Sequence, residues 1–71
     1  MYRRFAYVLY SRMLASYIGR AERPTPFRDE AKVFDSYEEA AAAAPSRNWE
    51  PLKVLVHVKD GRVVDVEPWE L

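Results

Sequence analysis

The chain has 71 residues, enough for one small domain and close to the lower limit at which a hydrophobic core suffices without staples. It contains no cysteine, which excludes disulfide bonds and cysteine-ligated metal sites and fits a reducing compartment. The net charge is zero, but residues 1–28 hold six arginines against one acidic residue, whereas residues 29–71 hold five basic residues against ten acidic ones. Such asymmetry is typical of a bipolar surface, unless folding interleaves the two halves.

The first 20 residues fit two interpretations. A polar residue recurs at multiples of four, which suits an amphipathic helix: Arg4, Arg12, Ser16 and Arg20. Against this, residues 5–10 are rich in aromatic and β-branched side chains, which favours a strand. We expect two strands, 3–11 and 14–19. Because Arg12 interrupts the apolar run, we expect neither a signal peptide nor a membrane span, and we place the protein in the cytoplasm.

The middle of the chain predicts a loop, an extended segment and a helix. Residues 20–30 contain two prolines and are expected to form a loop. Ala31–Phe34 reads as a short strand. Ser36 then fits a helix N-cap, with Glu39 reaching back to the Ser36 N–H. A run of alanines follows before Pro45, so the predicted helix covers about 36–44.

The last third predicts a β-hairpin. Val54, Val56 and Val58 alternate with Lys53, Leu55 and His57, and a second valine-rich run follows Asp60-Gly61. A two-residue Asp-Gly loop would place acidic residues opposite these valines. A three-residue loop at 59–61, with Gly61 in the left-handed conformation, pairs valine with valine. This register predicts Val56 opposite Val64 and His57 opposite Val63.

These elements predict an α+β fold, a small antiparallel sheet in the order ββ-β-α-ββ, within a single domain of residues 1–71. We expect the helix to cover the valine side of the sheet, including Val56. The other side, with Leu55 and Val63, is then left partly open, which is typical of a partner site or a self-association surface. Alternatively, aromatic residues outside the strands fold over it: Phe27, Trp49 and Trp69.

The residues predict little chemistry. His57 is the only histidine, so a site with two histidines is impossible, and we expect no metal, no cofactor and no catalytic residue. No serine lies in a nucleophile-elbow motif, and two glycines are too few for a phosphate-binding loop. We therefore expect a protein that is not an enzyme.

Three motifs follow one another along the chain: Tyr17-Ile18-Gly19, Ala31-Lys32-Val33-Phe34 and Ser36-Tyr37-Glu38-Glu39-Ala40. Together they resemble small proteins of phages and prophages, over residues 5–44. The resemblance implies an N-terminal hairpin, a helix and a closing strand or hairpin. It also implies a viral origin, in which short proteins often bind and redirect a host protein, and it brings no catalytic residues. The long loop at 20–30 departs from the pattern.

The function predicted from these features is binding and modulating a host protein, through the arginine- and tyrosine-rich first hairpin and the uncovered sheet face. Tyr and Arg are common anchors of protein interfaces. The predicted partner-binding residues are Arg4, Tyr7, Tyr10, Arg12, Tyr17, Arg20, Leu55 and His57. The same mixture stacks bases and neutralises phosphates, so a single-stranded nucleic-acid-binding domain is one alternative. A homodimer or larger homo-oligomer formed through the open face is the other.

Overall fold

The computed structural model describes residues 2–69. Five strands form one antiparallel sheet: β1 (Tyr2–Ser11), β2 (Ser16–Ile18), β3 (Pro24–Thr25), β4 (Glu50–Lys59) and β5 (Arg62–Pro68). The helix α1 spans Tyr37–Ala43, and a single 3-10 turn spans Arg28–Glu30. The order across the sheet is β3-β2-β1-β4-β5. This confirms the α+β fold, the first hairpin and the ββ-β-α-ββ arrangement.

The third strand comes from residues other than those expected. Pro24–Thr25, inside the predicted loop, pairs with β2, and Gly19 permits this close approach. A Cβ atom at Gly19 would lie 3.0 Å from the Arg23 carbonyl oxygen, which accepts the Gly19 N–H at 2.8 Å. Residues 31–34 are extended, as predicted, but they form only two isolated bridges, one from Ala31 to Gly19 and one from Phe34 to Tyr7.

The helix begins as the sequence predicts. Ser36 is the N-cap, and its hydroxyl accepts the Glu39 N–H at 3.1 Å. The return bond differs by one residue, because the Glu39 carboxylate accepts the N–H of Asp35 at 3.4 Å rather than that of Ser36. The helix ends at Ala43, with Ala44 as C-cap and Pro45 directly after it.

The C-terminal hairpin turns where predicted, but its register is different. Asp60 and Gly61 both have positive φ, 54° and 77°, and Lys59 pairs with Arg62, which makes a two-residue turn. The ladder then shifts between His57 and Val58, where β5 carries an extra residue. Beyond this bulge Val56 pairs with Val66, so the prediction of a three-residue loop with Val56 opposite Val64 and His57 opposite Val63 is wrong, although valine still faces valine.

The two sides of the sheet are covered differently from our expectation. The buried core of the "valine face" comprises Ala6, Val8, Val54, Val56, Val58 and Val66. The other side, the "helix face", carries Leu9, and there Ala40 of α1 packs with Leu9 and Trp49. The expectation that Val56 faces the helix is therefore wrong. Val63 was also misplaced, since it packs against the valine cluster.

The valine face is enclosed by the chain that follows β3. Ala31 is buried in the valine cluster, with Tyr17 and Val33 packed against it. The 3-10 turn contacts β5, the opposite edge strand, and Arg28 Nε donates to the Val66 carbonyl at 2.7 Å. The Val66 N–H donates to Asp65 Oδ1 at 2.9 Å. The segment after β3 thus bridges the two edges of the sheet, and side chains satisfy backbone groups of the exposed edge strand β5.

Deleting Val64 tests the bulge directly. The deletion removes the extra residue while leaving His57 opposite Asp65 and Val56 opposite Val66. We expect the free energy of unfolding, measured by urea denaturation, to change by less than about 1 kcal/mol, because Val64 is exposed. Deleting Tyr7 from the regular strand β1 is the control, and it should unfold the protein because the neighbouring residues change faces. A Val64 deletion that unfolds the protein would contradict this register.

Truncation on the two faces should have unequal costs. Val56 is fully buried among other valines, whereas Leu55 is only half-buried on the helix face. We expect Val56→Ala to lower the free energy of unfolding by about 2–3 kcal/mol and Leu55→Ala by about 1 kcal/mol. Chemical denaturation of both variants measures this, and equal losses would show that both positions are core.

Candidate functional site

The predicted binding residues do not form one surface. Tyr10 and Tyr17 pair across the first hairpin, with ring centroids 5.0 Å apart, and Tyr17 packs towards the valine cluster. Tyr7 lies on the helix face under α1, where its ring meets that of Tyr37 edge-on at 6.0 Å. All three predicted tyrosines are half-buried. Their packing explains their presence without a partner.

The predicted arginines are also dispersed. Arg4 forms an ion pair with Asp35, with Nη1 and Oδ1 2.9 Å apart, and so ties β1 to the helix entry. Arg20 lies in the loop after β2, where Nη2 donates to the Asp29 carbonyl at 3.4 Å. Arg12 is exposed in the turn between β1 and β2, beside two exposed apolar residues, Met13 and Leu14.

The remaining two predicted residues, Leu55 and His57, lie together on the helix face beyond the helix. Directly paired residues of an antiparallel sheet point to the same face, so Phe5 stands beside Leu55. Trp69 follows β5, and its N–H donates to the Lys53 carbonyl at 3.4 Å, which extends the β4–β5 pairing. We name the group Phe5, Leu55 and Trp69 the "open patch".

The open patch is ordered by aromatic contacts but accessible to solvent. The rings of Phe5 and Trp69 meet edge to face, with centroids 4.8 Å apart at an interplanar angle of 77°. Lys53 Nζ lies over the Phe5 ring, 4.6 Å from its centroid. Phe5 nevertheless stays 46% exposed and Trp69 42% exposed. Fixed yet exposed aromatic groups suit the recognition of another surface.

Charged side chains border the open patch. His57 Nε2 lies 2.9 Å from Glu67 Oε1, and Asp65 is the direct cross-strand partner of His57. Arg3 pairs with His57 from the other side, in β1. The donor atoms of His57, Asp65 and Glu67 all lie within 4.8 Å of one another. An apolar centre surrounded by side chains of both charge signs is typical of a protein interface.

The concavity beside the helix has an apolar lining. Its walls include Leu9, Ile18 and Phe34, and Lys32 and Glu22 also line it. These two charged groups pair with each other, with Nζ and Oε1 3.5 Å apart. Lys32 and Glu22 therefore neutralise each other in this concavity and do not point together at a substrate position.

Comparisons with protein-family models, with curated proteins and with solved structures find no significant match to this chain. In the part of the chain that the structure describes, no helix has the length and apolar character needed to cross a membrane.

Several residues around the open patch on the helix face were not predicted from the sequence. Asp65 and Glu67 were missed as neighbours of His57, because the assumed loop placed Val63 opposite that residue. Phe5 was missed because the sequence does not show that β1 pairs with β4, which places Phe5 beside Leu55. Trp69 was considered only as a residue that covers the open face. The Val63-Val64 doublet after Asp-Gly is the signal that could have revealed the bulge, because it breaks the alternation of the strand.

Proposed function

We propose that this protein is a small, non-enzymatic protein-binding factor whose partner surface is centred on the open patch. The observation that carries the proposal is the pair of interlocked aromatic rings, Phe5 and Trp69, exposed on a sheet face beside the helix. Interface energy concentrates in a few large anchors surrounded by a polar rim. Leu55 and His57, both predicted from the sequence, belong to this surface.

The finer features of the proposal have separate supports. The resemblance to phage proteins supports a viral origin, a host protein as the partner and action in the host cytoplasm. Arg12, with its exposed apolar neighbours in the first turn, supports a second contact through the first hairpin.

Nucleic acid is a weaker fit to the same surface. Base stacking needs a free aromatic face, but Lys53 already lies over the Phe5 ring. The neighbouring carboxylates, Asp65 and Glu67, also repel a phosphate backbone. We therefore favour a protein partner, which gains from both charge signs around the patch.

The proposal is tested by site-specific photo-crosslinking in host lysate. A photoreactive phenylalanine analogue at position 55 should crosslink a discrete protein, identified by mass spectrometry. The same analogue at position 27 is the matched control, because Phe27 is an exposed aromatic residue outside the patch. Equal crosslinking from both positions, or from neither, would contradict the proposed surface.

Once a partner is captured, truncation should localise the binding energy. We expect Phe5→Ala with Trp69→Ala to weaken binding more than about 30-fold, the equivalent of about 2 kcal/mol. Phe27→Ala should leave binding unchanged. Circular dichroism checks that both variants fold, and calorimetry measures the affinities. Undiminished binding by the double variant would refute a site centred on these rings.

The salt dependence of the affinity and the molecular mass in solution distinguish a protein partner from nucleic acid and from self-association. For a protein partner, we expect affinity to fall only modestly between 50 and 200 mM salt, whereas several phosphate contacts would lower it steeply. Light scattering reports self-association, and a dimer that the double variant abolishes would assign the open patch to a second copy of this chain. Steep salt dependence with single-stranded RNA or DNA would replace the proposal with the nucleic-acid alternative.

A further inference from the structure

Three metal-ligating side chains meet on the helix face of the β4–β5 hairpin, at the border of the open patch. His57 in β4 lies directly opposite Asp65 in β5, and Glu67 follows two residues later on the same strand. Alternate residues of a strand share a face, so the three side chains project to one side. One donor atom from each lies within 4.8 Å of the other two.

The histidine nitrogen in this cluster lacks an aligned partner. The His57 side chain is 17% exposed, but its Nε2 atom is buried. Glu67 Oε1 lies 2.9 Å from Nε2, and within residues 2–69 no hydrogen bond satisfies that nitrogen. A buried polar atom without a hydrogen bond is costly. Coordination of a metal ion by the neutral imidazole would satisfy this atom.

The distances are close to those of a metal site. Zinc bonds to nitrogen and oxygen ligands of about 2.0–2.2 Å place tetrahedral ligand atoms about 3.3–3.6 Å apart. The ligand atoms of the three residues are at most 4.8 Å apart, and His57 Nε2 and Glu67 Oε1 are 2.9 Å apart. Side-chain rotations that move these atoms by about 1 Å would bring them to tetrahedral spacing.

The backbone already holds one of the carboxylates. Asp65 Oδ1 accepts the N–H of Val66 at 2.9 Å, which restrains the carboxylate and leaves its second oxygen for a metal. Hydrogen bonds of this kind orient metal ligands and raise their effectiveness. The position of Asp65 opposite His57 depends on the bulge in β5, so the same irregularity that pairs the valines assembles the cluster.

We propose that His57, Asp65 and Glu67 form a binding site for a divalent transition-metal ion, with zinc as the best-fitting ion and water completing the coordination. One imidazole nitrogen with two carboxylate oxygens suits zinc and its neighbours, whereas magnesium and calcium prefer oxygen ligands alone. Our expectation of no metal site rested on the lack of a second histidine, and two carboxylates supply the missing ligands. Bound metal would fasten β5 to β4.

The test uses the full chain without a histidine tag, titrated with zinc chloride by isothermal calorimetry. We expect one zinc ion to bind per chain. His57→Gln, Asp65→Asn and Glu67→Gln should each weaken binding more than about tenfold, since even residues that only support a ligand contribute 10–100-fold. Asp29→Asn and Glu38→Gln, exposed carboxylates elsewhere, are the matched controls and should bind zinc like the original chain.

Two further measurements extend the test, and the first of them needs no variant. In the unmodified protein, zinc should shift the NMR signals of the His57 ring and of the Asp65 and Glu67 side chains ahead of all others. Arg3→Gln should tighten zinc binding, because Arg3 is the cross-strand neighbour of His57 and places a positive charge on the same face.

Each outcome of these experiments either supports or contradicts the zinc site. Stoichiometric binding that requires His57 and both carboxylates, with shifts localised to their side chains, would establish the site. No saturable binding of zinc, equal binding by His57→Gln, or shifts centred on other carboxylates would overturn it. Since crosslinking through the open patch is measured in the absence of added metal, failure here leaves the proposed function standing.

Discussion

The structure depends on how β4 is aligned with β5. Strand β4 lies between β1 and β5, and its valines are buried only if the β5 residues opposite them are apolar. The Asp60-Gly61 turn by itself would place Asp65 opposite Val56. One extra residue in β5 corrects this by bringing Val66 to that position. The cost of a local irregularity in hydrogen bonding is small beside that of burying a carboxylate among valines.

The same alignment gives the two faces their different character. On the valine face, Arg28 joins the segment after β3 to the edge strand β5, so a core of small side chains is enclosed without α1. The helix is then available for the other face, where it covers Leu9 and Trp49. Because α1 has only seven residues, it leaves the far half of that face uncovered, and the open patch with its charged rim lies there.

Local signals in the sequence were sufficient for the elements. The Ser36 cap and the alanine run each act over a few residues, and both were predicted correctly. The turn at Asp60-Gly61 was placed correctly, but its loop has two residues rather than the predicted three. The pairing of elements was harder. Both a three-residue loop and a bulged two-residue loop align the valines, and only the structure distinguishes them. The valine face is covered through a long-range contact between Arg28 and Val66, which no local pattern in the sequence predicts, and the helix therefore covers the other face.

The candidate site shows the same division. Leu55 and His57 were identified from alternation alone, because a half-open strand exposes every second residue. Their neighbours on the helix face could not be identified, since Phe5 and Asp65 join them only through the register of two strand pairs. The tyrosines of the first hairpin show the opposite error. Their aromatic-rich segment was interpreted as a binding surface, but the tyrosine side chains are half-buried and pack within the protein.

The bulge in β5 sets both the packing of the core and the cluster around His57. Cross-strand nuclear Overhauser effects in the unmodified protein test it most directly. We expect Overhauser effects between the backbone protons of Val56 and Val66 and between those of His57 and Asp65. Contacts from Val56 to Val64 and from His57 to Val63 would contradict it, because they would show a regular ladder beyond a three-residue loop.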